Sequence, residues 1–172
     1  MRRLRSAIVN RECPLVQLSV MVDVDTGRFT VAVFQDVAWA EKGVEALRRA
    51  GFPPESMSML AKESPEAAAL LERTFGSVPP PIDIAALGRS LATGPLVGVL
   101  QGSAGDLARH GLAGTMRKVG FQAHDARIFE TLAGRGGILV AIRSESRAAD
   151  ALALFHSYGG GNAAIGAWSG RV

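Results

Sequence analysis

The chain has 172 residues, of which 48% are hydrophobic and 20% are charged, so its composition excludes a disordered chain and provides enough apolar side chains for the core of one domain. Its formal charge of +3 comes from four arginines and one glutamate in the first twelve residues, which leaves the rest balanced and argues against a nucleic-acid-binding face. Cys13 is the only cysteine, which excludes an internal disulfide and a thiolate metal site. Arg11 and Glu12 interrupt any apolar segment near the start, so we expect no secretory signal and a cytoplasmic protein.

Residues 1–28 are predicted to be an extension outside the domain, with one candidate strand of their own. In LVQLSVMVDV (15–24), valine and leucine occupy alternate positions, as in a strand with one apolar side. The following DTG (25–27) could turn this strand into a hairpin with residues 29–34, but that pairing conflicts with a central position of the strand 29–34 in the predicted sheet. Three alternatives stay open for the segment: pairing with an outer edge of the sheet, pairing with another molecule, or a loose extension.

Two segments of the chain share one sequence pattern. VAVFQDVAWAEKGVEALRRAG (31–51) aligns without gaps to LVAIRSESRAADALALFHSYG (139–159). Each begins with an apolar run typical of a buried strand and continues as an amphipathic helix. Both helices have a predicted N-cap and a predicted terminal glycine: Asp36 with Gly51, and Ser144 with Gly159.

A further strand is predicted after each of these glycines. SMSML (56–60) alternates polar and apolar residues, which is typical of an edge strand or a strand with one apolar side, and AAIGAW (163–168) is a weaker candidate. Each half is therefore predicted to be a βαβ unit, and two such units in one sheet form a ferredoxin-like sandwich of the α+β class. Its four antiparallel strands would carry both helices on one face, with FTVAVF (29–34) and GILVAI (137–142) in the centre.

Residues 62–136 are predicted to be a largely helical, Gly/Ala-rich insertion within a single domain that spans 29–172. Its first helix has Ser64 as N-cap, Pro65 at the first helical position and Gly76 at its end. The loop SVPPPID follows this helix. Four further stretches are predicted to be helical: DIAALGRSLATG (83–94), GPLVGVLQGSAG (94–105), GDLARHGLAGTMRKVG (105–120) and HDARIFETLAG (124–134).

The stretch GPLVGVLQGSAG has glycines four residues apart, at Gly94, Gly98 and Gly102. A helix from Ser90 to Gly105 would be about 24 Å long, shorter than the hydrocarbon core of about 30 Å, which argues against a membrane span. The chain contains no G-x-x-x-x-G-K-[ST] motif, which argues against a phosphate loop. Glycines at this spacing form a groove that admits another backbone, so the three are predicted to pack within the chain or between subunits. A mobile helix loosened by glycine is the alternative.

The sequence carries no catalytic or metal-binding motif, and we predict no catalytic residue, no cofactor and no metal. The histidines His110, His124 and His156 show no metal-ligand spacing and are assigned surface or helix-capping roles. Other candidate residues are assigned non-catalytic positions: Asp23 and Asp25 in a turn, Glu63 and Glu66 at a helix start, and Cys13 without a nearby histidine.

Trp39 and Trp168 are the remaining candidates for a binding surface. Trp39 lies off the apolar stripe of its helix, so it is predicted either to anchor a partner or to be buried under the insertion. The RNA-binding form of the ferredoxin-like sandwich displays stacking aromatic residues on its central strands, and GILVAI has none. Nucleic acid is therefore not an expected partner.

Three segments in a fixed order carry a family resemblance: FTVAVFQDVAWAEKGVEALRRAGFPPESMSMLAKE, then LATGPLVGVLQGSAGDLARHGLAG, then ARIFETLAGRGGILVAIRSES. In this order the chain resembles the general stress protein 17M-like family over residues 29–170. The resemblance implies a bacterial stress-associated protein without an established reaction or cofactor, so it brings no catalytic residues with it. The first 28 residues lie outside the pattern.

The preferred functional prediction is a non-enzymatic stress-associated protein that acts through self-association or contact with another protein. The interface candidates are Trp39, Gly94, Gly98 and Gly102. One alternative is a small-molecule-sensing module, since paired βαβ units often form regulatory ligand sites. Another alternative is peripheral membrane contact through the arginine-rich start and the glycine-rich helix.

Overall fold

An antiparallel sheet with helices on both faces organises the part of the chain that the structure describes. The structure is a computed structural model and describes residues 29–143 and 147–160. In chain order its strands and helices are β1 (Phe29–Phe34), α1 (Val37–Arg49), β2 (Met57–Lys62), α2 (Pro65–Phe75), β3 (Ile82–Ile84), β4 (Gly88–Thr93), α3 (Pro95–Gln101), α4 (Asp106–Lys118), α5 (Ala123–Gly134), β5 (Ile138–Arg143) and α6 (Ala148–Ser157). Three predictions fall on residues outside this part: the strand at 15–24, the N-cap Ser144 and the strand at 163–168.

The five described strands follow the order β1-β5-β2-β4-β3, and every neighbouring pair is antiparallel. β5 pairs on both sides, because Val140 lies opposite Ala32 of β1 and opposite Met59 of β2. β4 continues the sheet beyond β2, and β3 forms a short hairpin with β4. The described chain is therefore a mixed α+β fold, and its insertion extends the sheet on the β2 side.

Both faces of the sheet are apolar and covered. Ala32 and Phe34 of β1 lie in one hydrophobic cluster, which contains core residues of α1, α2 and α6. Val31 and Val33 lie in the other, which contains core residues of α3, α4 and α5. This alternation follows from the two-residue repeat of a strand. The insertion thus supplies most of the second helical layer, on the face opposite to α1 and α6.

The predicted helix starts and ends at the paired segments and at α2 are confirmed within the described residues. The Trp39 N–H donates to Asp36 Oδ1 at 2.9 Å, and the Ala67 N–H donates to Ser64 Oγ at 3.1 Å. Each hydroxyl or carboxylate oxygen thereby satisfies an N–H of the first turn. The terminal glycines all have positive φ: Gly51 at 87°, Gly76 at 80° and Gly159 at 78°.

The predicted helix over residues 83–94 is wrong. The segment forms the β3–β4 hairpin, with the Leu87 N–H donating to the Ile84 carbonyl oxygen across the turn. Ile84, Leu87 and Leu91 are buried at a helix-like spacing, which explains the error. β4 instead pairs with β2 along Lys62–Ser90 to Met59–Thr93, so tertiary pairing decides the conformation.

The prediction that β2 is an edge or one-sided strand is also wrong, since β2 lies between β5 and β4 and both of its faces contribute core residues. Its polar Ser58 is buried because Ser58 Oγ accepts a hydrogen bond of 2.8 Å from the Leu96 N–H at the start of α3. A buried helix cap, rather than a solvated face, accounts for the alternation in SMSML.

The prediction that Gly94, Gly98 and Gly102 lie on one helix is wrong. Gly98 lies inside α3, whereas Gly94 and Gly102 flank its two ends with φ of 105° and 54°. A Cβ on Gly94 would stand 2.5 Å from Ser58 Cα, so this glycine allows the β4–α3 turn to pack on β2. A Cβ on Gly98 would meet nothing within 4 Å. None of the described helices has the length and apolar character needed to cross a membrane.

The different roles of these glycines can be separated by substitution with alanine. Gly94→Ala should lower the free energy of unfolding by about 1–3 kcal/mol or more, because the φ of 105° and ψ of 175° at this position suit only glycine. The added methyl group would also clash with the backbone of Met57 and Ser58. Gly98→Ala should raise it by about 0.5–1 kcal/mol, because an exposed helix interior favours alanine. Urea unfolding followed by circular dichroism measures both. Equal destabilisation by the two substitutions would contradict this assignment.

Candidate functional site

A cavity of about 470 Å³ opens where β1 ends, and we call it the β1 pocket. Three backbone segments meet there: the end of β1, the connection between α5 and β5, and the end of α6. Its lining residues are Val33, Phe34, Gln35, Leu132, Arg135, Gly137 and Gly159. The pocket therefore joins the first half of the chain, the insertion and the second half.

The register of β1 and β5 places these segments together. Phe34 pairs with Ile138, so Gln35 after β1 comes close to Gly137 before β5. Gly137 permits a tight junction, because a Cβ there would stand 2.6 Å from Val33 Cγ1 and 2.8 Å from the Leu132 carbonyl oxygen. A side chain at position 137 would push the end of α5 away from β1.

A second cavity of about 300 Å³ adjoins the pocket along α5. The two cavities share Leu132 as a lining residue, and the second is lined further by His124, Arg127, Ile128 and Thr131. Ile128, Leu132 and Arg135 follow one another at spacings of one helical turn, so one side of α5 and the residue after it form a continuous wall. We call the two cavities together the α5 groove.

The α5 groove is basic at its rim. His124, Arg127 and Arg135 are exposed, and none of them takes part in an ion pair between described residues. The nearby acid Asp125 is 6% exposed, and burial raises its pKa above the ordinary value, against a smaller opposite effect of His124. An anion in the groove would therefore meet two guanidinium groups and an imidazole, and neither acid of α5 is exposed, since Asp125 is buried and Glu130 is half-buried.

Trp39 stands beside the β1 pocket, in the first turn of α1. Its side chain is 43% exposed, and Lys42 Nζ lies 4.5 Å from the ring centroid. A Cβ on Gly159 would stand 3.8 Å from Trp39 Cε3, which places the indole ring next to a lining residue of the pocket. The helices of the second layer do not cover Trp39, because they lie on the other face of the sheet from α1.

The remaining sequence candidates lie apart from this site. Arg89 Nε donates a hydrogen bond of 2.6 Å to Glu63 Oε2, which links the end of β2 to β4. This hydrogen bond lowers the pKa of Glu63. His110 lies 3.8 Å from Asp106 on α4, and His156 lies in the last turn of α6, as predicted. The described residues contain no cluster of three potential metal ligands. Residues outside the described part are Cys13, Asp23, Asp25 and Trp168.

The sequence analysis missed Gln35, Arg127 and Arg135. The helical spacing of Ile128 and Leu132, with basic residues at 124, 127 and 135, was available as a sign of a basic, partly apolar face on α5. The contact of this face with the end of β1 could not be predicted from the sequence, because it depends on the strand register between residues far apart in the chain.

No protein-family model matches the chain, and neither does any curated protein or any solved structure.

The buried carboxyl of Asp125 generates a pH-dependent prediction. The pKa of Asp125 is raised above 3.8 in the folded chain, so the folded state binds this proton more tightly than the unfolded state does. The contribution of this carboxyl to the free energy of unfolding therefore falls as the pH rises from its unfolded-state pKa through its folded-state pKa. Asp125→Asn does not titrate. The free energy of unfolding of the variant, relative to wild type, should therefore be higher at pH 7 than at the lowest pH at which both proteins fold. Urea unfolding at the two pH values measures this difference, and the opposite trend would contradict the burial of an unpaired acid.

Proposed function

We propose that this chain is a non-enzymatic, stress-associated bacterial protein that acts in the cytoplasm through protein contact, with self-association as the case to be tested. Membership of the general stress protein 17M-like family is part of the proposal and is supported by the order of the three sequence segments. The single cysteine supports a reducing compartment. The observation that carries the proposal is the exposed Trp39 at the border of the β1 pocket.

Trp39 has the properties of an interface anchor. The buried stripe of α1 consists of Ala40, Val44 and Leu47 with their neighbours, and Trp39 lies outside it. Lys42 lies above its large ring, and contact with a partner would remove the apolar surface of this ring from water. Tryptophan is among the residues that contribute most to binding when buried at the centre of an interface, especially next to a pocket.

A ferredoxin-like core is the finer architecture that we propose. The strand order β1-β5-β2 and the position of α1 and α6 on one face agree with three of its four strands and both of its helices. The fourth strand of such a core was predicted at residues 163–168, which lie outside the described residues. The insertion would then add β4 and β3 at the opposite edge and a helical layer on the opposite face.

Gly98 is the glycine of the sequence stretch best suited to a contact between molecules. It is exposed on α3, and a Cβ there would meet nothing within 4 Å. A partner backbone can therefore approach this helix closely. Gly94 is already used within the chain, where it packs against Ser58.

Size-exclusion chromatography with light scattering tests self-association. Wild type should have a mass above that of one chain, and Trp39→Ala should shift it toward the monomer, because the anchor is lost. Val78→Ala is the matched control, since Val78 is likewise 43% exposed but lies in the loop after α2. Gly98→Leu should also weaken association if α3 contributes to the interface. Monomers in every case, with unchanged unfolding curves, would overturn the proposal.

The second candidate function is a small-molecule-sensing module, which the β1 pocket favours. Its volume of about 470 Å³ falls within the range of small-molecule sites, about 300–1,000 Å³, and apolar residues dominate its lining. A saturating ligand at a hundred times its Kd would stabilise the fold by about 2.7 kcal/mol. A thermal-shift screen of metabolites should therefore find one class that raises Tm reproducibly, and a flat screen would dismiss this candidate.

A further inference from the structure

The α5 groove combines an apolar floor with cationic side chains that form no ion pair with another described residue. Leu132 lines the β1 pocket and Ile128 continues the apolar surface along α5, and both side chains are half-buried. Val33 and Phe34 also line the pocket, but they are at most 4% exposed and belong to opposite faces of the sheet. Arg135 and Gln35 line the same pocket as Leu132, while Arg127 and His124 line the adjoining cavity. A ligand that fills this groove must therefore bring both an apolar body and an acceptor of charged hydrogen bonds.

We propose that the α5 groove binds a small amphipathic carboxylic acid, with the carboxylate held by Arg135 and Gln35 and the apolar body lying on the half-buried side chains of Leu132 and Ile128. This inference rests on the second candidate function and names its ligand class. A guanidinium presents paired N–H donors that match the two oxygens of a carboxylate. The Gln35 amide offers a further donor. A longer apolar chain follows the groove from Leu132 toward Ile128.

Charge distinguishes this ligand from the other occupants of the groove. A neutral apolar molecule would bury its body there but would leave Arg135 without an anionic partner. The arginine-rich segment at residues 2–11 brings the same sign of charge as the groove, so it is a poor occupant. A small acid satisfies both the apolar floor and the basic rim.

Octanoate is the test ligand, with octan-1-ol as the neutral molecule of equal chain length. Thermal shift and isothermal titration of the full chain should show saturable binding of octanoate. Octan-1-ol should bind at least about tenfold more weakly, because a charge-assisted hydrogen bond is lost. The ligand-free fold provides the baseline for each variant by circular dichroism.

Arg135→Gln should weaken octanoate binding by about tenfold or more while leaving octan-1-ol binding unchanged. Arg109→Gln is the matched control. It removes the same charge from an exposed arginine on α4. The neighbouring Ala108 carbonyl accepts a hydrogen bond from the Ala85 N–H after β3, so Arg109 lies near the edge of the described sheet opposite to β1. This control should bind octanoate as wild type does.

Each other outcome overturns the inference in a distinguishable way. Equal binding of octanoate and octan-1-ol would show an apolar pocket and would leave the sensing function standing without its acid ligand. Equal losses in Arg135→Gln and Arg109→Gln would place the bound acid elsewhere or assign it to net charge. Absence of binding by both molecules would show that the groove is closed, and a flat metabolite screen would then end the sensing function as well.

Discussion

The double pairing of β5 is the interaction on which the rest of the described structure depends. β5 belongs to the second half of the chain, yet it pairs with β1 and β2, which are the two strands of the first half. The halves are therefore interleaved in one sheet and cannot form separate layers. Because β2 and β5 are antiparallel neighbours, the insertion leaves and re-enters the sheet side by side, and its helices α3, α4 and α5 can cover one face while α2 packs on the other. Burial of both faces explains why the three strands are almost continuously apolar.

The same pairing creates the candidate site. With Phe34 opposite Ile138, the residue after β1 meets the loop between α5 and β5, and Gly137 keeps that junction narrow. The end of α6 closes the third side at Gly159, beside Trp39. A pocket, a basic groove and an exposed aromatic ring thus lie within one region. A ligand in the pocket would therefore lie next to the proposed protein contact.

Local chemistry was predictable from the sequence wherever neighbours along the chain decide the structure. Asp36 and Ser64 cap helices because an oxygen reaches an N–H three residues later, and Gly51, Gly76 and Gly159 end helices through positive φ. Predictions failed where distant residues decide. Ile84, Leu87 and Leu91 fit a helix until β4 pairs with β2, and Ser58 resembles a solvent-facing residue until it caps α3. The groove between α5 and β1 belongs to the second class, since Val33 and Gly137 meet only through the strand register.

The central claim is the proposal that a small acid binds at the end of β1 and not at the glycine stretch. A titration of the ¹⁵N-labelled chain with octanoate, followed by two-dimensional NMR, locates the bound acid residue by residue. We expect the amide shifts to concentrate at residues 33–35, 132–137 and 159, with the surface around Gly98 unchanged. Shifts that concentrate on α3 around Gly98, or that spread evenly over the sheet, would contradict the claim.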